Sequence, residues 1–391
     1  MNRKDISAKI NIRPIKHSVR EMPHATIEIN RTCNLQCRCC YNHAKSTVKT
    51  LQMIRQEIDL LFQKRTPQTV TILGGEPTLH PNLVEVVVYL KSKGVICQLL
   101  TNGVVFLESQ DDPLLDTLVS AGVDRFIVHA DNGQNHKDPD IERVREILFS
   151  KLEARRAHFS LSLTIYNEDA GLIPSFIKKY SRYRYFDGVL AVLARDGLPS
   201  RTQKSGLLSE YRSISQELLV EPVAYIPSNL DDQYVSWLIY FFVMNAGTKA
   251  AFDLSPRLHR VFQKLYRWGR GRQLFVVQFH PRLLRAKMLL VCICELFLHP
   301  RKLSFFLKLA AESDALRSIR FDYIAIQNPP ETDDQKLEVR FCYHCPDATI
   351  RNGMLTPICL ADDINPLPGD FQPPEIWEDL RAAVYSHLGE I

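Results

Sequence analysis

Between residues 25 and 195, short apolar runs alternate with longer amphipathic stretches, and this alternation restricts the fold of the 391-residue chain more than any other feature. The runs near Ala25–Asn30, Thr69–Leu73, Val95–Leu100, Arg125–His129, Phe159–Ile165 and Gly188–Ala194 read as strands. The stretches between them read as helices. Val48–Arg65 places Leu51, Ile54, Ile58 and Leu61 on one face of a 3.6-residue repeat. Pro81-Asn82 opens a second helix that ends at Gly94, Pro113–Ala121 closes with Gly122, and Pro139–Ala157 and Ile173–Tyr183 supply two more. Strands separated by helices in this way run parallel, so the expectation is an α/β sheet, open or curled into a partial barrel.

The alternation stops after Ala194, and Asp196-Gly197-Leu198-Pro199-Ser200 reads as a linker. From Gln233 to Thr248 sixteen residues carry no charge, short of the roughly 20 that a membrane-spanning helix needs, which suggests a membrane-surface or re-entrant element. Between Arg257 and Lys308 there are twelve Lys and Arg against one acid, Glu295. Arg257, Arg260, Lys264 and Arg267 recur at helical spacing beside Leu258, Val261, Phe262 and Leu265, as expected of a helix on anionic lipid. Nucleic acid is the less favoured partner, because a net charge of +5 is small. With 45% hydrophobic and 24% charged residues, wholesale disorder is excluded.

The ten cysteines are too sparse for a disulfide-stapled secreted domain, and no apolar leader follows Met1, so reduced thiols in a cytoplasmic setting are expected. Clustered cysteines then point to metal or catalysis. Cys33, Cys37 and Cys40 follow the spacing C-x3-C-x2-C where the first strand ends, and loops at that end of parallel strands build active sites. Three thiolates so spaced reach three corners of a [4Fe–4S] cube and leave the fourth iron without a protein ligand. A zinc site would use the same thiols, with Cys39 or His43 as fourth ligand. Gly74-Gly75-Glu76-Pro77 follows the second strand and Thr101-Asn102-Gly103 the third.

Taken in order, these motifs resemble the radical S-adenosylmethionine (radical SAM) superfamily. The resemblance implies a partial (β/α)6 barrel over 22–196, after an N-terminal extension at 1–21. It implies a [4Fe–4S] cluster on Cys33, Cys37 and Cys40 whose open iron chelates S-adenosylmethionine. Gly74, Gly75, Glu76 and Pro77 would hold the cofactor's amino group, and Thr101, Asn102, Asp131 and Ser162 would face it. It also implies an electron donor such as a flavodoxin or ferredoxin, and hydrogen abstraction from an organic substrate. Where the family often has Ser-x-Asp after the fourth strand, this chain has His129-Ala130-Asp131, and Cys39 stands where an aromatic residue is common.

Residues 197–321 are expected to form a mainly helical, basic, apolar insertion, and 322–391 a cysteine-rich extension. Cys342, Cys345 and Cys359 resemble the auxiliary-cluster extensions of that superfamily, with a fourth ligand open among Cys292, Cys294, Cys97, another group or the substrate. A zinc knuckle that includes His344, or a redox pair, are the alternatives for these cysteines. The preferred expectation is a lipid or isoprenoid substrate at the inner membrane surface. The alternatives are peptide maturation and, in another class, a zinc-stabilised nucleic-acid-binding protein.

Overall fold

The structure, a computed structural model, describes residues 12–42, 47–107, 111–194, 206–245, 249–274, 293–303, 319–333, 336, 338–367 and 376–389. The linker 196–200, His43 and Cys292 lie outside the described residues. Six parallel strands come in chain order: β1 (His24–Glu28), β2 (Thr69–Leu73), β3 (Ile96–Thr101), β4 (Arg125–His129), β5 (Phe159–Ile165) and β6 (Phe186–Leu193). A helix follows each strand: α1 (Leu51–Lys64), α2 (Leu83–Ser92), α3 (Pro113–Ala121), α4 (Ile141–Ala154), α5 (Ile173–Tyr180) and α6 (Leu207–Glu217). This is the parallel α/β sheet that the alternation predicts, in the partial (β/α)6 arrangement that the resemblance implies. In α1 the expected face is the buried one, with Ile54, Ile58 and Leu61 inside, and Thr50 caps the helix by accepting from the Met53 amide at 3.2 Å.

Beyond residue 196 the described residues hold helices, α6, α7 (Pro256–Arg270) and a stretch at 293–298, and strands that join the sheet. The region contributes β7 (Ala224–Pro227), β8 (Val235–Asn245), β9 (Ala250–Asp253) and the start of β10 (Ile319–Gln327) beside α7. The sheet continues as β6-β10-β8-β7, with β10 parallel to β6 and β8 antiparallel to β10. The apolar run read as a membrane-surface element is β8, buried at every residue from Val235 to Asn245. Leu238, Tyr240, Phe242 and Met244 enter the main core, while Trp237, Ile239 and Phe241 enter a second cluster with Leu254 and Leu258. A strand covered on both faces needs apolar residues at every position, which is why it imitates a membrane segment. Among the described residues no helix is long and apolar enough to cross a membrane.

The C-terminal segment adds two hairpins, β11 (Glu331–Asp333) with β12 (Glu338–Arg340) and β13 (Ala348–Arg351) with β14 (Met354–Pro357). The helix α8 (Ile376–Leu388) packs with them through Leu380, Val384 and Tyr385. The Glu28 amide of β1 donates to Thr349 Oγ1 at 3.3 Å, so the second hairpin lies against the strand that leads into the cysteine loop.

Candidate active site

The cysteine loop is assembled by backbone pairing between motifs. The Gly75 amide donates to the Asn30 carbonyl at 2.9 Å and the Glu76 amide to the Thr32 carbonyl at 2.8 Å. A Cβ on Gly74 would lie 2.3 Å from Asn30 O, and one on Gly75 2.3 Å from Thr32 O. These glycines are therefore required by the crossing of two chain segments. The other half of the loop rests on the turn after β4: the Arg38 amide donates to the Gly133 carbonyl at 2.8 Å, and the Gln36 amide to Asn135 Oδ1 at 2.6 Å. A Cβ on Gly133 would meet the Tyr166 hydroxyl at 1.9 Å, and Arg38 lies over the Tyr166 ring. Sequence reasoning passed over Gly133, Gln134, Asn135 and Tyr166, although an Asn-Gly pair just after a strand was a visible turn signal.

Glu76 is 1% exposed, and its carboxylate is already committed. Oε1 accepts from the Thr78 amide at 3.1 Å, the Thr78 hydroxyl at 2.6 Å and the Thr101 hydroxyl at 2.6 Å, and Oε2 accepts from the Asn102 amide at 2.7 Å. It ties the ends of β2 and β3 together. Burial pushes its carboxyl up despite these donors. Asn102 Nδ2 donates to Asn34 Oδ1 at 2.8 Å and lies 3.9 Å from Cys33 Sγ.

These loops enclose a cavity of about 720 Å³. Cys33, Cys37, Cys39 and Cys40 line it together with Gly74, Gly75, Glu76, Thr101, Asn102, His129, Ser162 and Thr164. Pro77 and Asp131 do not: Pro77 opens a short 3-10 turn, and Asp131 lies behind the wall. Asp131 accepts from the Gly133 and Thr164 amides, each at 2.8 Å, and pairs with His129 Nε2 at 3.2 Å. Burial pushes its carboxyl up, but His129 and the two amides outweigh this and hold it at about 2. His129 Nδ1 stands 3.2 Å from the Ser162 hydroxyl, which makes an Asp–His–Ser series ending on the cavity.

The far wall comes from the C-terminal segment, through Gln327, Pro329, Pro330, Asp347, Ile358 and Cys359. Cys342 and Cys345 sit behind it, 3% and 1% exposed. Trp237 Nε1 donates to Cys342 Sγ at 3.0 Å, and Gln327 Nε2 lies 3.7 Å from the same sulfur. The Cys345 thiol is pushed well up by its hydrogen bond with Cys342, by burial, and by the nearby Cys342, Cys359 and Asp347. Of the fourth ligands considered, Cys97 is sealed in the main core, where burial pushes its thiol up to about 12. Cys294 packs against the apolar cluster that contains Cys342.

Burial, with Cys40, Asp131 and Cys33 nearby, pushes the Cys37 thiol up to about 12. Thiols that repel one another's ionisation become thiolates when a cationic centre sits among them, so the donor set fits a metal group. Among the described residues no three His, Cys, Asp or Glu side chains close on a point where a single ion would sit.

The radical SAM superfamily model matches residues 27–151, the span that holds the three thiols and the loops after β2, β3 and β4. Those residues belong to the radical SAM superfamily. It is a superfamily of enzymes. Among curated relatives, the radical SAM region is similar to the antilisterial bacteriocin subtilosin biosynthesis protein AlbA of Bacillus subtilis (strain 168). The two are 37% identical over 84 residues, 20% of this chain and 18% of AlbA. It is also similar to a probable GTP 3′,8-cyclase of Methanocaldococcus jannaschii, 29% identical over 134 residues, 32% of this chain and 44% of that protein. Streptococcus suis SuiB, solved bound to its precursor peptide SuiA, superimposes with a TM-score of 0.41 at 13% identity. The overlap covers 50% of this chain and 47% of SuiB. The matched regions make up less than half the length of each of these proteins.

Proposed function

We infer that the chain is a radical SAM enzyme that takes hydrogen from an organic substrate, a peptide segment, held in the 720 Å³ cavity. The observation that carries this reading is that Cys33, Cys37 and Cys40 line the same cavity as the Gly-Gly-Glu loop and the polar ends of β4 and β5. When bound, a [4Fe–4S] cluster and S-adenosylmethionine supply reductive cleavage of the sulfonium to methionine and a 5′-deoxyadenosyl radical, given one electron from a reduced flavodoxin or ferredoxin. The protein's residues do the rest. Cys33, Cys37 and Cys40 would hold the cluster. The Gly74-Gly75-Glu76 loop would border the cofactor's amino end, and Glu76 also ties the ends of β2 and β3 together. Thr101, Asn102 and Ser162 offer polar atoms along the wall, and His129, steadied by Asp131, can accept or return a proton at Nδ1 through Ser162.

Peptide is favoured over lipid because the apolar run that suggested a membrane element is a buried strand. The names of two relatives, AlbA and the PqqA peptide cyclase of Xanthomonas, also point to peptides. Cys342, Cys345 and Cys359 are read as ligands of a second, auxiliary iron–sulfur cluster, which the indole donor to Cys342 suits. One observation keeps a membrane-surface location as a second reading. On α7, Val261, Leu265 and Trp268 are 48%, 57% and 89% exposed beside Arg257, Lys264 and Arg270, and liposome flotation tests this. The enzyme reading is tested by anaerobic reconstitution, reduction and assay for 5′-deoxyadenosine. Formation of that product is expected, and stoichiometric zinc with no iron or product overturns the reading.

A further inference from the structure

Beneath the cysteine loop lies a group of ionic side chains, all buried except the part-exposed Glu57, drawn from both ends of the chain. Arg31, at the start of the loop, is fully buried and pairs with Asp362. The other oxygen of Asp362 accepts from Arg351 at 2.6 Å. Arg351, fully buried at the end of β13, also donates to both oxygens of Glu28 on β1, at 2.7 and 2.6 Å. Lys49 pairs with Glu57 at 2.8 Å and stands 4.0 Å from Glu28. Three cations thus balance three carboxylates. Buried ion pairs of this kind contribute little net stability over a packed apolar core, but they fix geometry, because each charge tolerates few positions.

The geometry they fix is that of the third thiol. Arg31 Nε donates to Asn42 Oδ1 at 3.0 Å, and Asn42 Nδ2 donates back to the Arg31 carbonyl at 2.8 Å, a two-way clamp between the ends of the cysteine loop. The Cys40 thiol lies 3.7 Å from the Asn42 carbonyl. We propose that the C-terminal segment positions the active-site loop, with Asp362 orienting Arg31 and Arg31 holding Asn42 so that Cys40 meets its iron in register with Cys33 and Cys37. Asp362 and Asn42 are positioning residues: the carboxylate acts on the loop through Arg31, and Arg351 holds its other oxygen. The C-terminal segment is on this account part of the first cluster's site and not a detachable cluster carrier, a conclusion that rests on Cys40 being a ligand of that cluster.

The test uses the full chain, reconstituted anaerobically, with Asp362→Asn, Asn42→Ala and, as a control on the surface, Asp232→Asn. Iron and sulfide are counted, and the electron paramagnetic resonance of the reduced protein is titrated with S-adenosylmethionine. Asn42→Ala breaks the clamp while Arg31 keeps its pairing with Asp362, so the fold should hold, with the thermal midpoint lowered modestly by the two lost buried hydrogen bonds. It and Asp362→Asn should weaken the cofactor-dependent change in the spectrum by about tenfold or more in concentration, the scale of outer-shell effects at metal sites. The control should match the parent. Titrations of both variants within about twofold of the parent would overturn the proposal. Should Asp362→Asn not fold, Asn42→Ala decides alone. A parent protein that takes up no iron and sulfide defeats the enzyme reading, whereas a loaded parent with indifferent variants defeats only the positioning role.

Discussion

Cys33, Cys37 and Cys40 hang from one loop along the wall of a large cavity, whereas Cys342 and Cys345 are 3% and 1% exposed and only Cys359 reaches that cavity. The first set hangs from a loop held by backbone hydrogen bonds, and its part-buried sulfurs line the cavity, with long contacts to Cys33 Sγ from the Leu35 amide at 3.5 Å and Asn102 Nδ2 at 3.9 Å. In the second set an indole and an amide are aimed at the Cys342 sulfur. Open sulfurs suit a group that must admit a second ligand, and enclosed, hydrogen-bonded sulfurs suit one whose potential is tuned. The two sets of cysteines are thus told apart by their access to the cavity.

The largest effect should come from the ligands themselves. Cys37→Ala should reduce 5′-deoxyadenosine formation by at least about a hundredfold, whereas Cys345→Ala should leave reductive cleavage measurable. Equal losses in a product assay would erase the contrast. Gly75→Ala comes next: its Cβ would meet Thr32 O at 2.3 Å and Arg31 O at 2.4 Å, both backbone atoms that cannot step aside. A destabilisation of about 3 kcal/mol is expected in denaturant melts, together with a loss of iron. Trp237→Phe removes the N–H aimed at Cys342. It should cost about 1 kcal/mol and alter only the spectrum of the C-terminal site, and a change in the first site's response to S-adenosylmethionine would show that the two are not separable.

A smaller contrast lies in pH. Burial holds His17, packed on Tyr343 and His344, at about 3, with Arg65 and the neighbouring histidines adding to the effect. Its ordinary value is 6.5, so the unfolded chain binds the proton first. The stability it contributes is complete above 6.5 and fades as pH falls from there towards 3. Asp131 keeps its contribution until pH drops below 3.8, towards about 2. Between pH 6.5 and 5 the amide protection factors around 341–345, taken relative to the slower intrinsic exchange at lower pH, should therefore fall, while the contribution of Asp131 stays unchanged.

Much of this molecule is legible in its residues. The parallel strands and their helices fall where period and punctuation place them, and Thr69–Leu73, Arg125–His129 and Phe159–Ile165 match residue for residue. β8 is buried on both faces and so shows no alternation, which leaves its composition indistinguishable from that of a membrane element. Gly74 and Gly75 were found for the right motif but for an incomplete reason, since a close crossing with residues 30–32 leaves no mark in the linear order. Asp362 was invisible: its partner Arg31 lies 331 residues away, and a charged residue in the sequence carries no sign that it is buried.

The most direct measurement is the electron paramagnetic resonance of the reduced, reconstituted chain with and without S-adenosylmethionine, in the parent and in Cys37→Ala. A spectrum that shifts on adding the cofactor in the parent, and shows no such shift in Cys37→Ala, is the predicted result. A reconstituted parent whose iron signal ignores the cofactor would contradict an open iron held by Cys33, Cys37 and Cys40.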